Sequence, residues 1–200
     1  MKKVLLSTVA AATLIAAPAV AQEAGDYMFG FGVGYVDPTD DNLDLGGGTF
    51  LQVDSGVALT FTAEYYYTDN IAIELLLATP FNHDISVDGA GKVGETDHLP
   101  PTLSVNYHFN DFGAFRPFVG VGINYTNFFQ EKSDLGVLEL DDSWGLAFTV
   151  GAEYDISDNG ALRFDVRYID IDTDATLDGA DLGTVEIDPL VFSAAYVWKF

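Results

Sequence analysis

The sequence has no cysteine, few basic residues and no long apolar run beyond its N-terminus. Its 200 residues contain 8 Lys and Arg against 31 Asp and Glu. Without cysteine there is no disulfide framework and no thiolate chemistry. Nucleic-acid binding needs a cationic surface, so the acidic balance excludes that class of partner. After residue 21 no apolar stretch reaches the roughly 18 residues that a membrane-spanning helix needs.

The first 21 residues have the pattern of a secretory leader. Met1, Lys2 and Lys3 form a short basic region, an apolar run follows over residues 4–17, and residues 19–21 are Ala-Val-Ala. A small-x-small signal after such a run predicts a cleaved signal peptide over residues 1–21. The run is short for a membrane anchor helix. We expect a mature chain of residues 22–200 that forms one domain.

The C-terminal segment alternates apolar and small side chains with a period of two. Leu190, Phe192, Tyr196, Trp198 and Phe200 share one parity, which is typical of a β-strand. Seven further segments show the same alternation: 27–36, 56–67, 71–81, 99–109, 115–129, 143–154 and 162–169. The intervening segments 82–98, 130–141 and 173–184 are polar or acidic and are expected to be loops. Short turns alternate with these longer loops.

The two parities differ in chemistry, and this decides between a membrane barrel and a soluble one. One parity is aliphatic and aromatic, whereas the other holds Gly, Ala, Ser, Thr and nearly all the strand charges. A soluble lipocalin-type barrel has the inverse arrangement, and Lys is nearly absent from these strands. An exported chain without spanning helices can cross a membrane only as a closed barrel. The sequence therefore predicts an all-β, eight-stranded antiparallel transmembrane β-barrel with short periplasmic turns and longer acidic extracellular loops.

The charges of the inward parity are expected to pair in a narrow lumen. Charges in such a space must pair or stay hydrated. An arginine–carboxylate network is therefore predicted, either as a structural plug or as a selectivity filter. Its members are Glu64, Glu74, Arg116, Glu153, Arg163, Asp165 and Arg167.

Catalytic and metal-binding patterns are weak. Ser104 and His108 share a parity but lie about 13 Å apart on one strand, which is too far for a nucleophile and its base. His83 and His98 flank one loop and could meet, but no serine is fixed beside them. The chain is therefore not expected to be an enzyme, and no cofactor is expected.

One acidic segment has the first spacing of a calcium loop. It carries Asp170, Asp172 and Asp174, but the sixth position is Ala175 instead of glycine and the twelfth is Asp181 instead of glutamate. We expect no dedicated metal site. Diffuse binding of divalent cations that bridge lipopolysaccharide phosphates remains an alternative.

Several ordered motifs resemble the outer membrane protein W (OmpW) family across the whole mature chain. They are Thr68–Phe81, His98–Leu103, Phe115–Thr126, Asp142–Gly145, Tyr168–Thr173 and Asp188–Phe192. The resemblance implies an outer-membrane barrel that takes up small hydrophobic molecules passively. It also implies that the solute enters between the extracellular loops and leaves sideways through the barrel wall.

The resemblance assigns roles to individual residues. Leu76 matches an apolar constriction, and its inward parity agrees. The three prolines Pro80, Pro100 and Pro101 cannot donate to a strand ladder, so they either weaken the wall for a lateral opening or merely end the strands. Phe118, Phe128 and Ile169 share the inward parity and could line the path. Arg167 departs from an apolar lining.

The resemblance also implies partners. Outer-membrane lipid and lipopolysaccharide would surround the barrel, and the C-terminal Tyr196, Trp198 and Phe200 resemble the signal recognised by the outer-membrane assembly machinery. The alternative function is a non-conducting barrel that serves as an envelope scaffold or as a receptor.

Overall fold

A computed structural model describes residues 22–200, and the predicted leader lies outside the described residues. Over this range no helix is long and apolar enough to cross a membrane. The structure contains fifteen strands over these residues: β1 (Tyr27–Asp37), β2 (Leu43–Asp44), β3 (Phe50–Val53), β4 (Gly56–Tyr66), β5 (Ile71–Ala78), β6 (Phe81–Val87), β7 (Gly91–Leu99), β8 (Thr102–His108), β9 (Phe115–Ser133), β10 (Leu138–Leu140), β11 (Ser143–Ser157), β12 (Gly160–Ile169), β13 (Asp172–Leu177), β14 (Ala180–Glu186) and β15 (Leu190–Lys199).

Eight of these strands form a closed antiparallel barrel, as the sequence predicts. The order around the barrel is β1, β4, β5, β8, β9, β11, β12 and β15. The C-terminal strand β15 closes it against β1, with Phe31 opposite Tyr196. Two backbone hydrogen bonds between Tyr27 and Phe200 continue this pairing, Tyr27 N to Phe200 O at 3.2 Å and Phe200 N to Tyr27 O at 2.9 Å. The predicted eight-stranded barrel is confirmed.

The alternation of side chains places apolar residues on the outer face. In β1 every second residue is exposed, beginning with Tyr27 and Phe29, while Met28 and Val36 are buried. Small inward residues such as Gly30 and Gly34 leave room in a lumen that eight strands make narrow. The outer face therefore matches lipid, and the inner face is packed with side chains.

The long loops contain more regular structure than their polar composition predicts. Residues 82–98 are an antiparallel hairpin of β6 and β7, and residues 173–184 lie in the hairpin of β13 and β14. Strand β9 continues to Ser133 and pairs with β7. We call residues 38–55, 79–101, 127–142 and 170–189 the extracellular extension. It consists of two facing sheets, one of β2, β3, β6 and β7 attached to β9, and one of β10, β13 and β14.

Two positions differ from the simple alternation. The alternation over residues 71–81 predicts Phe81 on the lipid face with Leu77, but Phe81 is 2% exposed. Strand β5 ends at Ala78, and the two residues Thr79 and Pro80 change the direction of the side chains before β6 begins. Residue 155 was expected in a turn, but β11 continues to Ser157 and buries the Asp155 side chain. Both corrections place additional residues inside the barrel or its extension.

Candidate functional site

A network of ion pairs crosses the lumen and is here called the plug. Glu64 on β4 and Glu74 on β5 lie directly opposite each other in the ladder. Arg163 reaches both: its Nη1 is 3.2 Å from Glu64 Oε2, and its Nη2 pairs with Glu74 Oε2. Strand β12, which carries Arg163, lies four strands away from β5 in either direction around the barrel. The guanidinium therefore spans the lumen and pairs with two facing carboxylates.

Two further arginines complete the plug. Arg167 lies on β12 four residues after Arg163, on the extracellular side, and its Nη2 is 2.7 Å from Glu74 Oε1. Near the periplasmic end, Arg116 Nη2 is 2.9 Å from Glu153 Oε2, and its Nη1 pairs with Asp155. The remaining predicted member, Asp165, lies 3.4 Å from Arg163 Nε. The structure thus brings together every residue that the sequence placed in this network.

Sequence reasoning missed Asp155 and two further polar members of the plug. His108 Nε2 is 3.0 Å from Glu64 Oε1, and Asn106 Nδ2 donates to the same oxygen at 2.9 Å. Their signal was present, because both residues lie on the inward parity of β8. Phe118, expected along the solute path, also belongs here. Its ring stacks on His108 at 5.1 Å and lies 4.2 Å from the Arg163 guanidinium carbon.

The arginines of the plug are buried. All three arginines are at most 2% exposed. A buried charge that loses its partner is costly, so each arginine is held to its carboxylates. Five carboxylates surround the three guanidinium groups, and the side chains fill the lumen at this height. The arrangement closes the lower barrel along its axis.

Above the plug the interior is mixed. Leu76 points inward from β5, two residues above Glu74 on the same face, and is 8% exposed. Its ladder partner Thr102, and Asn124 opposite Thr102, are buried polar residues at the same height. Ile169 and Phe128 belong to a buried apolar cluster, without Leu76, that joins the upper lumen to the extracellular extension. A packed apolar cluster therefore lies beyond Leu76.

The three predicted prolines surround a break in the barrel wall just above Leu76. The β5–β8 ladder ends where Leu76 pairs with Thr102. Pairing resumes only between β6 and β7, where Phe81 lies opposite His98. Pro80 lies on one side of the interval, and Pro100 and Pro101 lie on the other.

The two adjacent prolines differ in which neighbouring strand their backbone groups face. His108 N donates to Asn70 O beside β5, so even-numbered residues of β8 direct their N–H groups toward β5. Pro100 therefore occupies a position whose N–H would face β5. Pro101 faces β9, where its carbonyl accepts from Tyr125 N at 3.1 Å. The Pro100 carbonyl is instead bound by Asn124 Nδ2 at 3.1 Å.

The remaining histidines lie in the extracellular extension. The rings of His83 and His98 stack at 4.8 Å with an interplanar angle of 8°. Burial lowers the pKa of both, that of His98 to about 3 with a contribution from His83. His108 is bound to Glu64. Among the described residues no hydrogen bond joins a serine to a histidine.

The acidic segment with calcium-like spacing does not have the arrangement of a calcium loop. Asp170 and Asp172 group with Asp188, and carboxylate oxygens of all three lie within 4.8 Å of one another. Asp174 is turned away and accepts from Thr184 Oγ1 at 2.6 Å. The calcium-loop order of ligands is therefore not formed.

The C-terminal aromatic residues lie on the lipid face at the seam of the barrel. The rings of Tyr196 and Trp198 are 4.5 Å apart, and Phe200 packs edge-on against Phe29 at 5.7 Å. Phe200 is 72% exposed. These side chains contact none of the plug residues.

A closed eight-stranded barrel with a lipid-facing apolar surface is an outer-membrane β-barrel protein. A family model described as "OmpW family" matches residues 23–200, so the chain belongs to the OmpW family. It is 42% identical to Outer membrane protein W of Vibrio cholerae serotype O1, over 100% of both chains. It is 31% identical to the dibenzothiophene metabolism operon protein PahQ of Pseudomonas aeruginosa, over 72% of this chain and 71% of that protein.

A solved structure agrees with this assignment. The crystal structure of the outer membrane protein OprG from Pseudomonas aeruginosa superposes with a TM-score of 0.79 at 33% identity. The superposition covers 90% of this chain and 98% of that one. The protein is therefore located in the bacterial outer membrane.

Proposed function

We propose that this barrel allows passive uptake of small hydrophobic molecules and releases them sideways through its wall. The observation that carries the proposal is that two features of the barrel lie next to each other. The axial path is blocked by the Arg167–Glu74 pair, and the wall ladder is interrupted directly above it, after Leu76 and Thr102. A solute that reaches Leu76 from outside then has an exit only toward lipid.

The chemistry of the lumen beyond Leu76 supports an apolar solute. Its walls are built from the buried apolar cluster that contains Phe128 and Ile169. An apolar solute gains by leaving water for such a surface and gains nothing by entering the charged plug. The relative PahQ is named for an operon of dibenzothiophene metabolism, and dibenzothiophene is an apolar aromatic compound.

The proposal is tested by placing a charge at the constriction. In cells that lack other barrels of this family, Leu76→Arg is expected to reduce uptake of a hydrophobic dye at least tenfold, because the longer charged side chain narrows the path and removes apolar surface that the solute would contact. Leu76→Met keeps the position apolar and should retain uptake. Leu135→Arg adds the same charge at a loop position that is 62% exposed and should also retain it. Equal uptake by wild type and Leu76→Arg would contradict the proposal.

A second candidate is a non-conducting barrel that acts as a scaffold or receptor, and the plug itself favours it. Ion pairs that cross the lumen stabilise a wall without any transport role. The same uptake experiment separates the two functions. A wild-type protein that is present in the outer membrane and takes up no more dye than cells without it would support the scaffold.

We further propose that the chain has no enzymatic activity and that its other contacts are structural. Among residues 22–200 the hydrogen-bonded partners of the histidine rings are the Glu64 carboxylate and the Asp54 backbone carbonyl, and neither is a nucleophile. Lipopolysaccharide is the proposed partner of the acidic extension, and the exposed Phe200 at the barrel seam is the proposed contact of the assembly machinery.

A further inference from the structure

Three buried polar side chains lie beside the wall interruption and are here called the proline clamp. They are Thr102, Asn124 and Thr126, and each is 0% exposed. Asn124 Nδ2 donates to the Pro100 carbonyl at 3.1 Å and to the Pro101 carbonyl at 3.3 Å. Thr102 Oγ1 also donates to the Pro100 carbonyl, at 3.1 Å. Two side-chain donors therefore converge on one carbonyl oxygen.

The orientation of the Asn124 amide is fixed from its other end. Thr126 Oγ1 donates to Asn124 Oδ1 at 2.7 Å, which leaves Nδ2 as the group that faces the proline carbonyls. This assignment agrees with the chemistry, because a carbonyl can only accept a hydrogen bond. Nδ2 also lies 3.0 Å from Thr102 Oγ1, which accepts from it. The clamp is thus a connected set of hydrogen bonds that does not use the strand ladder.

The Pro100 carbonyl has a possible partner in the barrel wall that it does not use. The β5–β8 ladder ends with Leu76 opposite Thr102, so its register would place Ala78 opposite Pro100. Residues of even number in this ladder direct their backbone polar groups toward each other. Pro100 has no N–H to donate, but its carbonyl could accept from Ala78 N. No backbone hydrogen bond joins these two residues in the part of the chain that the structure describes.

We propose that the proline clamp holds the barrel wall open by occupying the Pro100 carbonyl. A carbonyl oxygen has two lone pairs, and the donors from Asn124 and Thr102 use both, so none is left for Ala78 N. Removal of the donors frees the carbonyl, and the β5–β8 ladder then gains a bond that narrows the exit. Asn124 and Thr102 are positioning residues, because they act through the backbone of residue 100. This inference rests on the proposed lateral route and specifies what keeps that route open.

The test removes both donors with side chains of similar size, in the double variant Thr102→Val/Asn124→Leu. Thr60→Val is the control, because Thr60 is also buried and lies opposite Ala78 on the other side of β5. NMR in detergent micelles measures amide exchange of Ala78, and dye uptake is measured in cells with equal amounts of each variant in the outer membrane. In the double variant Ala78 exchange should slow about tenfold, the effect of one added hydrogen bond, and uptake should fall severalfold. The control should match the wild type in both measurements.

The direction of the change in exchange separates this inference from a merely structural role. If the clamp only stabilised the wall, loss of its hydrogen bonds would loosen the strand ends, and Ala78 would exchange faster. Unchanged or faster exchange of Ala78 in the double variant would therefore overturn the inference and leave the proposed function standing.

A further variant leaves both donors in place, so that the inference can be tested even if the double variant does not assemble. Thr126→Val removes the hydroxyl that orients the Asn124 amide. It should slow Ala78 exchange and lower uptake by smaller factors than the double variant, and faster exchange would again overturn the inference. Slower exchange of Ala78 together with wild-type uptake would overturn the lateral exit of the proposed function. Wild-type uptake no greater than that of cells without the barrel would overturn the proposed function as a whole, while Ala78 exchange still decides whether the clamp occupies the carbonyl.

Discussion

At the scale of single residues, the plug concentrates its interactions on Glu74. This carboxylate is fully buried and pairs with both Arg163 and Arg167, which reach it from the opposite wall. Asn106 Nδ2 adds a hydrogen bond at 3.3 Å. A single substitution here therefore removes the carboxylate that pairs with Arg167, while Arg163 keeps Glu64 and Asp165.

Glu74→Gln is expected to destabilise the barrel by about 3–5 kcal/mol, the usual cost of breaking a buried ion pair from one side. Urea unfolding in detergent micelles or lipid vesicles measures the change. Glu95→Gln is the matched control. Glu95 pairs with Lys92 and Lys132 at the surface, where solvent screens the charges, so little change is expected. Equal stability of wild type and Glu74→Gln would show that the plug does not hold the barrel.

The buried histidine pair makes the extension sensitive to acid. The pKa of His98 is lowered to about 3, and that of His83 is also lowered although Asp54 and Asp97 partly offset the effect of burial. An opened extension would return both toward about 6.5. The open state then binds more protons between pH 6.5 and pH 3, so the closed state loses stability as pH falls through that window.

Hydrogen-exchange protection factors of β6 and β7 amides should therefore fall between pH 7.5 and pH 5, while those of β1 and β15 remain constant. In a His83→Phe/His98→Phe double variant the pH effect should be absent. Protection that is independent of pH in the wild type would show that the pair does not couple protons to opening.

At the scale of secondary-structure elements, one side chain joins the two sheets of the extension. Asn42 Oδ1 accepts from Val53 N on β3 at 2.8 Å. Its Nδ2 donates to the Glu186 carbonyl on β14 at 2.6 Å. Asn42 is 3% exposed, so water cannot readily replace these bonds.

Asn42→Ala should loosen the two sheets by about 1–3 kcal/mol, since it removes hydrogen bonds to three backbone groups, those of Val53, Glu186 and Thr39. Faster amide exchange in β3 and β14 would show the effect. Gln52→Ala is the control, because Gln52 makes a surface contact with Asp88 within one sheet. If exchange rates in Asn42→Ala and Gln52→Ala were the same, Asn42 would not join the sheets.

The sequence could predict the barrel because lipid enforces a strict alternation, visible in β1 from Tyr27 to Asp37. It could not predict the hairpins of the extension. Segments such as 82–98 carry Asn, Asp and Gly, which resemble a loop locally, and their pairing depends on contacts between β7 and β9 that are distant in sequence. Phe81 shows the same limit, because a proline before it changes the parity.

The sequence could predict only part of the candidate site, because side-chain alternation is local and pairing is not. Inward parity identified the arginines and glutamates of the plug, but their partners across the lumen depend on barrel order. According to the sequence His83 and His98 could meet, and the structure stacks their rings. The hydrogen bond between His83 Nδ1 and the Asp54 carbonyl involves the backbone, and no pattern of side chains encodes it.

At the scale of the whole molecule, three compartments are stacked along the barrel axis. The charged plug occupies the periplasmic half, a packed apolar cluster lies beyond Leu76, and the two-sheet extension covers the outer end. The wall ladder is interrupted just above the plug. The proposed lateral route for an apolar solute rests on this order.

The wall interruption is tested most directly by returning a donor at Pro100. Pro100→Val supplies an N–H that faces β5 and extends the ladder across the gap, whereas Pro101→Val supplies one that faces β9, where Tyr125 already pairs with residue 101. Uptake of a hydrophobic dye is measured in cells with equal amounts of each variant in the outer membrane. The lateral route predicts that Pro100→Val lowers uptake severalfold and that Pro101→Val matches the wild type. Wild-type uptake by Pro100→Val, together with loss of uptake by Leu76→Arg, would contradict the lateral route and place the exit along the barrel axis.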